Sequence, residues 1–220
     1  MKIRHMTRAL LMILALMHIA PLHAQEETTQ ESAPTIADYP VKYSYEPEYC
    51  DFIAKFPEEP ITSHRCENEE DPGTCYDLVS YTKVFDLSTT VRVDVICNPA
   101  SEEMFEYFKP EVMEQTVRAM TKDTVLETYN VSTQDQQDHR ITGLVGQGRK
   151  GLDDTLYIAQ LWVSENSIMS IEAELSGEQR PEADKLLAGI LNNLGHIRNI
   201  ENEKYFQDKE KQRQKDEKQE

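Results

Sequence analysis

Thr155-Leu156-Tyr157-Ile158-Ala159-Gln160-Leu161-Trp162-Val163 is the stretch whose reading decides the fold. Across 156–163 the residues of both parities are apolar, and only Gln160 is polar. Successive side chains of a strand point to opposite faces, so this strand needs cover on both sides. It predicts an interior strand with helices or loops above and below. A Glu165-Asn166 turn leads to its hairpin partner over 168–175, where Met169, Ile171, Ala173 and Leu175 share one face and Glu172 and Glu174 the other.

Upstream, residues 140–148 and 125–131 read as two further strands. Earlier still, Phe52, Ala54 and Phe56 share a face over 50–57, and Pro57-Glu58-Glu59-Pro60 turns the chain into a strand over 61–66. Residues 76–85 and 89–97 form the next hairpin, with Val91, Val93, Val95 and Cys97 on one face. Asn98-Pro99 opens a helical stretch that Pro110 divides, with Met104, Phe105 and Phe108 on the first piece and Val112, Val117 and Met120 on the second. The closing helix places Ala183, Leu186, Leu187, Ile190, Leu191 and Leu194 on one stripe, between Pro181 and Gly195. The order is strands, a broken helix, strands and a helix, joined by short hairpin links. It predicts an α+β fold: a mainly antiparallel sheet of about six to eight strands, with the broken mid-chain helix and the C-terminal amphipathic helix packed on it.

Residues 1–24 read as a secretory signal peptide: Lys2, Arg4 and Arg8, a largely apolar run of 12 residues over 9–20, then Pro21 and Leu22-His23-Ala24. The run is short of the roughly 20 residues that cross a bilayer, and Gln25 stands where a lipoprotein would need cysteine. Residues 25–40 read as a flexible leader, 41–197 as a single α+β domain, and 198–220 as a charged tail that is either a helical extension or disordered. The expected location is periplasmic or secreted. The net charge is −17, and residues 25–197 hold 33 acidic against 13 basic residues. That field repels phosphates and anionic headgroups, which argues against nucleic acid and against peripheral membrane binding, as the short apolar run argues against stable membrane insertion. Cationic ligands, divalent metals and a basic partner remain compatible with it.

Four cysteines in an exported chain allow three pairings. Turns at Glu58-Glu59 and near 86–88 favour Cys50–Cys66 and Cys75–Cys97 as cross-strand links; the alternative is Cys66–Cys75 with Cys50–Cys97. The cysteines lack zinc spacing and no Cys-x-x-Cys occurs, so neither a metal nor a cofactor is expected from them.

Among candidate chemistries, Gly146-Gln147-Gly148-Arg149-Lys150-Gly151 satisfies GxGxxG, but Asp153-Asp154 and a strand follow instead of a helix. The glycines instead mark a bulge or a close packing approach. Arg149, in a basic pair within an acidic body, is a candidate anion contact. Glu172 and Glu174, roughly 6.5–7 Å apart along a strand, could serve acid–base chemistry or hold a cation. One hairpin register puts Gln160 and Trp162 on their face, the other Tyr157, Ala159 and Leu161. The 67–71 loop is rich in oxygen ligands without EF-hand spacing, and His64, His139 and His196 have no serine elbow or Cys–His arrangement beside them. No catalytic residue is assigned.

The strand order, the early Phe-x-x-x-Phe-Pro strand, the mid-chain helix and the closing amphipathic helix resemble the PsbP-like fold over roughly residues 45–195. That fold includes extrinsic photosystem proteins, Mog proteins and DcrB-type envelope proteins. The resemblance implies a binding or accessory role with no catalytic residues to carry over. The reading is an exported, soluble, non-catalytic binding or accessory protein with an envelope protein partner. The alternatives are a metal-assisted hydrolase built on Glu172 and Glu174 or on the 67–71 loop, and a small cationic-ligand binder that would report through Trp162.

Overall fold

The computed structural model describes residues 40–199, apart from 67, 69, 70, 72, 73 and 152. The signal peptide, all but the last residue of the leader, most of the 67–71 loop and the tail from residue 200 lie outside the described residues. The chain begins with short strands β1 (Tyr43–Tyr45) and β2 (Phe52–Phe56), followed by β3 (Ile61–Cys66), β4 (Cys75–Phe85) and β5 (Thr89–Pro99). Helices α1 (Glu102–Tyr107) and α2 (Pro110–Met120) come next. Then come β6 (Val125–Asp135), β7 (His139–Lys150), β8 (Asp153–Ser164) and β9 (Ser167–Gly177), before α3 (Pro181–Asn192) and β10 (Leu194–His196). Seven strands make one antiparallel sheet in the order β3-β4-β5-β9-β8-β7-β6, and β1-β2-β10 make a second of three.

Strand β8 is interior and is covered on both faces, as its two apolar parities require. Leu161 and Val163 join Phe105, Met113, Val117 and Leu144 in a core beneath α1 and α2. The alternate residue, Trp162, belongs to the opposite core, where Val91, Val93, Val95, Ile171 and Ala173 meet Phe52 and Phe56 of β2 and Ala183, Leu187 and Ile190 of α3. The helices start where the sequence supplies caps and prolines. The Ser101 side chain accepts the Met104 N–H, Glu102 and Glu103 sit in the first turn of α1, and Pro110 and Pro181 occupy the first turns of α2 and α3.

Three details differ from the sequence reading. Strand β5 continues through Pro99, which pairs with Ser167, so the helix begins only at Glu102. Helix α3 ends at Asn192, and Leu194 enters β10 opposite Ala54. Third, residues 57–60 make no hairpin. Phe52, Ile53, Ala54 and Phe56 are buried, whereas β3 is an edge strand exposed at Ile61, Thr62, His64 and Arg65. Strand β2 pairs with β1 and β10 on its two edges, so 57–60 carry the chain from one sheet to the other.

That crossover corrects the favoured cysteine pairing. The bonds are Cys50–Cys97 and Cys66–Cys75, and no cysteine is free. Cys66 and Cys75 face each other directly in the β3–β4 register. Leu78 faces Ile96 in β4–β5, which leaves Cys75 and Cys97 offset by two residues. Cys50, approaching with β2, takes Cys97 instead. Two disulfides suit an oxidising compartment. Among the described residues no helix is long and apolar enough to cross a membrane.

Peptide mapping without reduction should recover the pairs 50–97 and 66–75. The bonds close segments separated by 47 and 9 residues, so chain entropy predicts about 4 kcal/mol lost on replacing Cys50 and Cys97 with serine and about 2.5 kcal/mol for Cys66 and Cys75. Denaturant titration of the two double variants checks this order.

Candidate functional site

The residues singled out from the sequence fall in three separate places. Glu172 and Glu174 share one face of β9, opposite Ala159 and Tyr157 of β8 and Asp94 and Arg92 of β5. This is the second of the two possible registers. The buried Tyr157 hydroxyl donates to Glu172, the Ser80 hydroxyl donates to Asp94, and Arg92 pairs with Asp94 at 2.6 Å. Glu172 and Glu174 also act electrostatically on the Arg92 guanidinium. The glutamates therefore belong to a polar network on the sheet, with Glu172 already occupied by a phenol. Arg149 is exposed near the β7–β8 turn, 3.6 Å from Asp154.

The GxGxxG stretch is hairpin, as expected. Strand β6 bulges opposite Gly146 and Gly148. A Cβ on Gly146 would lie 2.6 Å from the Glu127 carbonyl oxygen, and one on Gly148 2.5 Å from that of Thr124. These glycines admit a neighbouring backbone and make no phosphate cradle.

Trp162 lies on the other face of the main sheet and leads to a site that sequence reasoning missed. The start of β7, the end of β8 and strand β10 converge where the two sheets meet. Register puts His139 opposite Ser164 and His196 opposite Phe52. The His139 and His196 rings lie nearly parallel with centroids 4.7 Å apart, and His139 lies as nearly parallel to Trp162 at 6.4 Å. Their exposures are only 1% and 4%. Asp138, on the turn before β7, reaches His139 Nδ1 at 2.8 Å. The Arg198 N–H donates to His196 Nδ1 at 3.3 Å.

A cavity of about 510 Å³ opens beside this cluster. Asp51, Asp138 and Glu165 line it together with His196, Asn166 and Arg198. Asp51 is held on every side. Its carboxylate accepts from Ser164 Oγ (2.7 Å) and Asn166 Nδ2 (3.1 Å), its N–H donates to Ser167 Oγ (2.9 Å), and its carbonyl accepts from the Ile197 N–H (2.9 Å). Burial, and then the neighbouring His139, hold the His196 imidazolium below its ordinary range. Burial alone would raise the Asp138 carboxyl, but the hydrogen bond from His139 and the nearby His139 and His196 together outweigh it and the net shift is downward.

Three carboxylates face one guanidinium in this cavity, so it favours a cation. The Ser164 hydroxyl gives its proton to the Asp51 carboxylate and not to an imidazole, which is not how a serine nucleophile is activated. Among the described residues a second group, His64, Cys66 and Cys75, has metal-like spacing, but its sulfurs are joined in the disulfide. The missed signal was His139: two positions before Ile141, it shares that residue's parity and so faces the core that holds Trp162.

Replacing Tyr157 with phenylalanine should cost about 2 kcal/mol, because a half-buried carboxylate loses a donor. The phenol's pKa is raised first by burial and then by Glu172. The folded chain therefore keeps this proton above pH of about 10, where the unfolded chain releases it, and wild-type stability falls with rising pH there. Urea unfolding at pH 8 and 11 should show the gap between wild type and Tyr157→Phe narrowing at the higher pH; a constant gap contradicts the assignment. The chain matches no protein-family model and no curated protein.

Proposed function

We propose that this chain is an exported, non-catalytic binding protein of the cell envelope, and that the cavity between its sheets takes a positively charged ligand. The observation that carries the reading is the cavity wall: Asp51, Asp138 and Glu165 against Arg198, set over two buried imidazoles. The ligands this wall favours are small cations, consistent with the acidic balance of residues 25–197. Two disulfides agree with an oxidising compartment, and the resemblance to PsbP-like proteins implies the same binding role. An accessory function would add an envelope protein partner that delivers or accepts the ligand. The glutamate-based hydrolase has weaker support, since Tyr157 occupies Glu172.

The chain's single tryptophan is a built-in reporter, because Trp162 lies parallel to His139, which stacks on the cavity-lining His196. Titration with small organic amines should change its emission saturably, and Asp51→Asn should weaken that response about tenfold. Equal responses to neutral and anionic analogues would overturn the charge reading. Photo-crosslinking from Glu165 in intact cells should capture one envelope protein reproducibly; capture no greater than from Leu87, 96% exposed at a distant hairpin tip, would remove the accessory role.

A further inference from the structure

We propose that Asp138, His139 and His196 form a binding site for a first-row divalent transition metal, with zinc(II) as its reference ion. This deepens the cavity reading above and rests on it. Each residue offers one ligand atom, and all three atoms lie within 4.8 Å of one another. A tetrahedral zinc with bonds of about 2.0–2.1 Å separates its donors by about 3.3 Å. Asp138 Oδ1 and His139 Nδ1 stand 2.8 Å apart, closer than that, so only small side-chain shifts are needed to admit an ion.

The chemistry of the donors selects the class of metal. Two imidazoles and one carboxylate suit zinc, copper(II) or nickel(II), whereas calcium and magnesium prefer all-oxygen sets. Three protein ligands leave a fourth position, and Asp138 and His196 both border the 510 Å³ cavity, which has room for a water or a ligand group there. Asp51 adds negative charge and is itself fixed by Ser164, Asn166 and Ser167. The ligand positions also come from rigid elements. His196 sits on β10 against β2, and His139 begins β7 against β8. On binding, the metal takes the place of the Asp138–His139 hydrogen bond, and the His139 ring binds through Nδ1 as a neutral imidazole with its proton on Nε2.

The test uses the full oxidised chain after chelator treatment and dialysis. Calorimetry with zinc chloride at pH 7.5 should give one equivalent per chain, and cobalt(II) should give the visible absorption of a four-coordinate site. Calcium chloride should give no heat of binding. Asp138→Asn and His196→Gln should each weaken zinc binding at least tenfold, while His64→Gln leaves it unchanged. Because His196 is buried, near-UV circular dichroism checks the fold of each variant, and Asp138→Asn, at a side chain 35% exposed, decides the question alone where the His196 variant does not fold. Absence of stoichiometric zinc binding overturns the proposal, as does binding that survives Asp138→Asn. If organic amines still change Trp162 emission while zinc does not bind, the cation cavity stands and the metal assignment falls. If neither binds, both fall.

Discussion

Phe52 is the contact on which the junction of the two sheets depends. Its side chain has no exposed surface, and its ring meets His139, Trp162 and His196 edge to face at 6.2, 5.6 and 5.5 Å. Those partners come from β7, β8 and β10, so one aromatic side chain from β2 ties three other strands together. Ring edges are positive and ring faces negative, which makes such crossings favourable beyond the area they bury. The same arrangement settles what the cavity has for a floor. Because Phe52 fills the apolar space, the imidazoles beside it are held in place and presented towards Asp138 and Asp51.

The two polar regions of the main sheet differ in what their carboxylates face. On the face of β5 and β9, Asp94, Glu172 and Glu174 gather around Arg92, and Tyr157 and Ser80 supply hydroxyl donors. Each named acid there interacts with a neighbour, so the network consumes its own charge. At the sheet junction three carboxylates line an open volume with one guanidinium, and burial disfavours the charged form of the His196 imidazole beside them. Negative charge lining an open volume beside imidazole nitrogens is an electrostatic preference for cations, and for borderline metal ions in particular.

What could be read from the sequence was whatever short-range periodicity encodes. The two apolar parities of 156–163 anticipated an interior strand, and that inference survives because burial of both faces is a local property of the residues themselves. Pro110 marked the break between α1 and α2 for a similar reason. The partner of β2 was not local. Phe52, Ala54 and Phe56 said only that a face is buried, and Pro57-Glu58-Glu59-Pro60 looks the same whether it reverses a strand or carries it across to another sheet. The pairing of β2 with β1 and β10 decided between these, and that pairing is a consequence of the assembled fold. The disulfide error followed from that one misplacement. The site was hidden by the same cause: Asp51, His139 and His196 lie far apart in the chain and meet only because β2 and β10 pair with each other against the larger sheet.

The Cys50–Cys97 bond connects these observations. Cys50 and Asp51 are adjacent, and Asp51 is the residue whose backbone and carboxylate bind Ser164, Asn166, Ser167 and Ile197. A covalent link at residue 50 removes most of the freedom that those hydrogen bonds would otherwise have to overcome, since it closes a span of 47 residues. The cavity wall is thus assembled partly by oxidation. Cys66–Cys75 closes only 9 residues near the exposed edge of the main sheet and makes no contribution at Asp51. Two bonds of the same chemistry therefore carry unequal consequences: the short one fastens an edge, and the long one holds a carboxylate where a cation can use it.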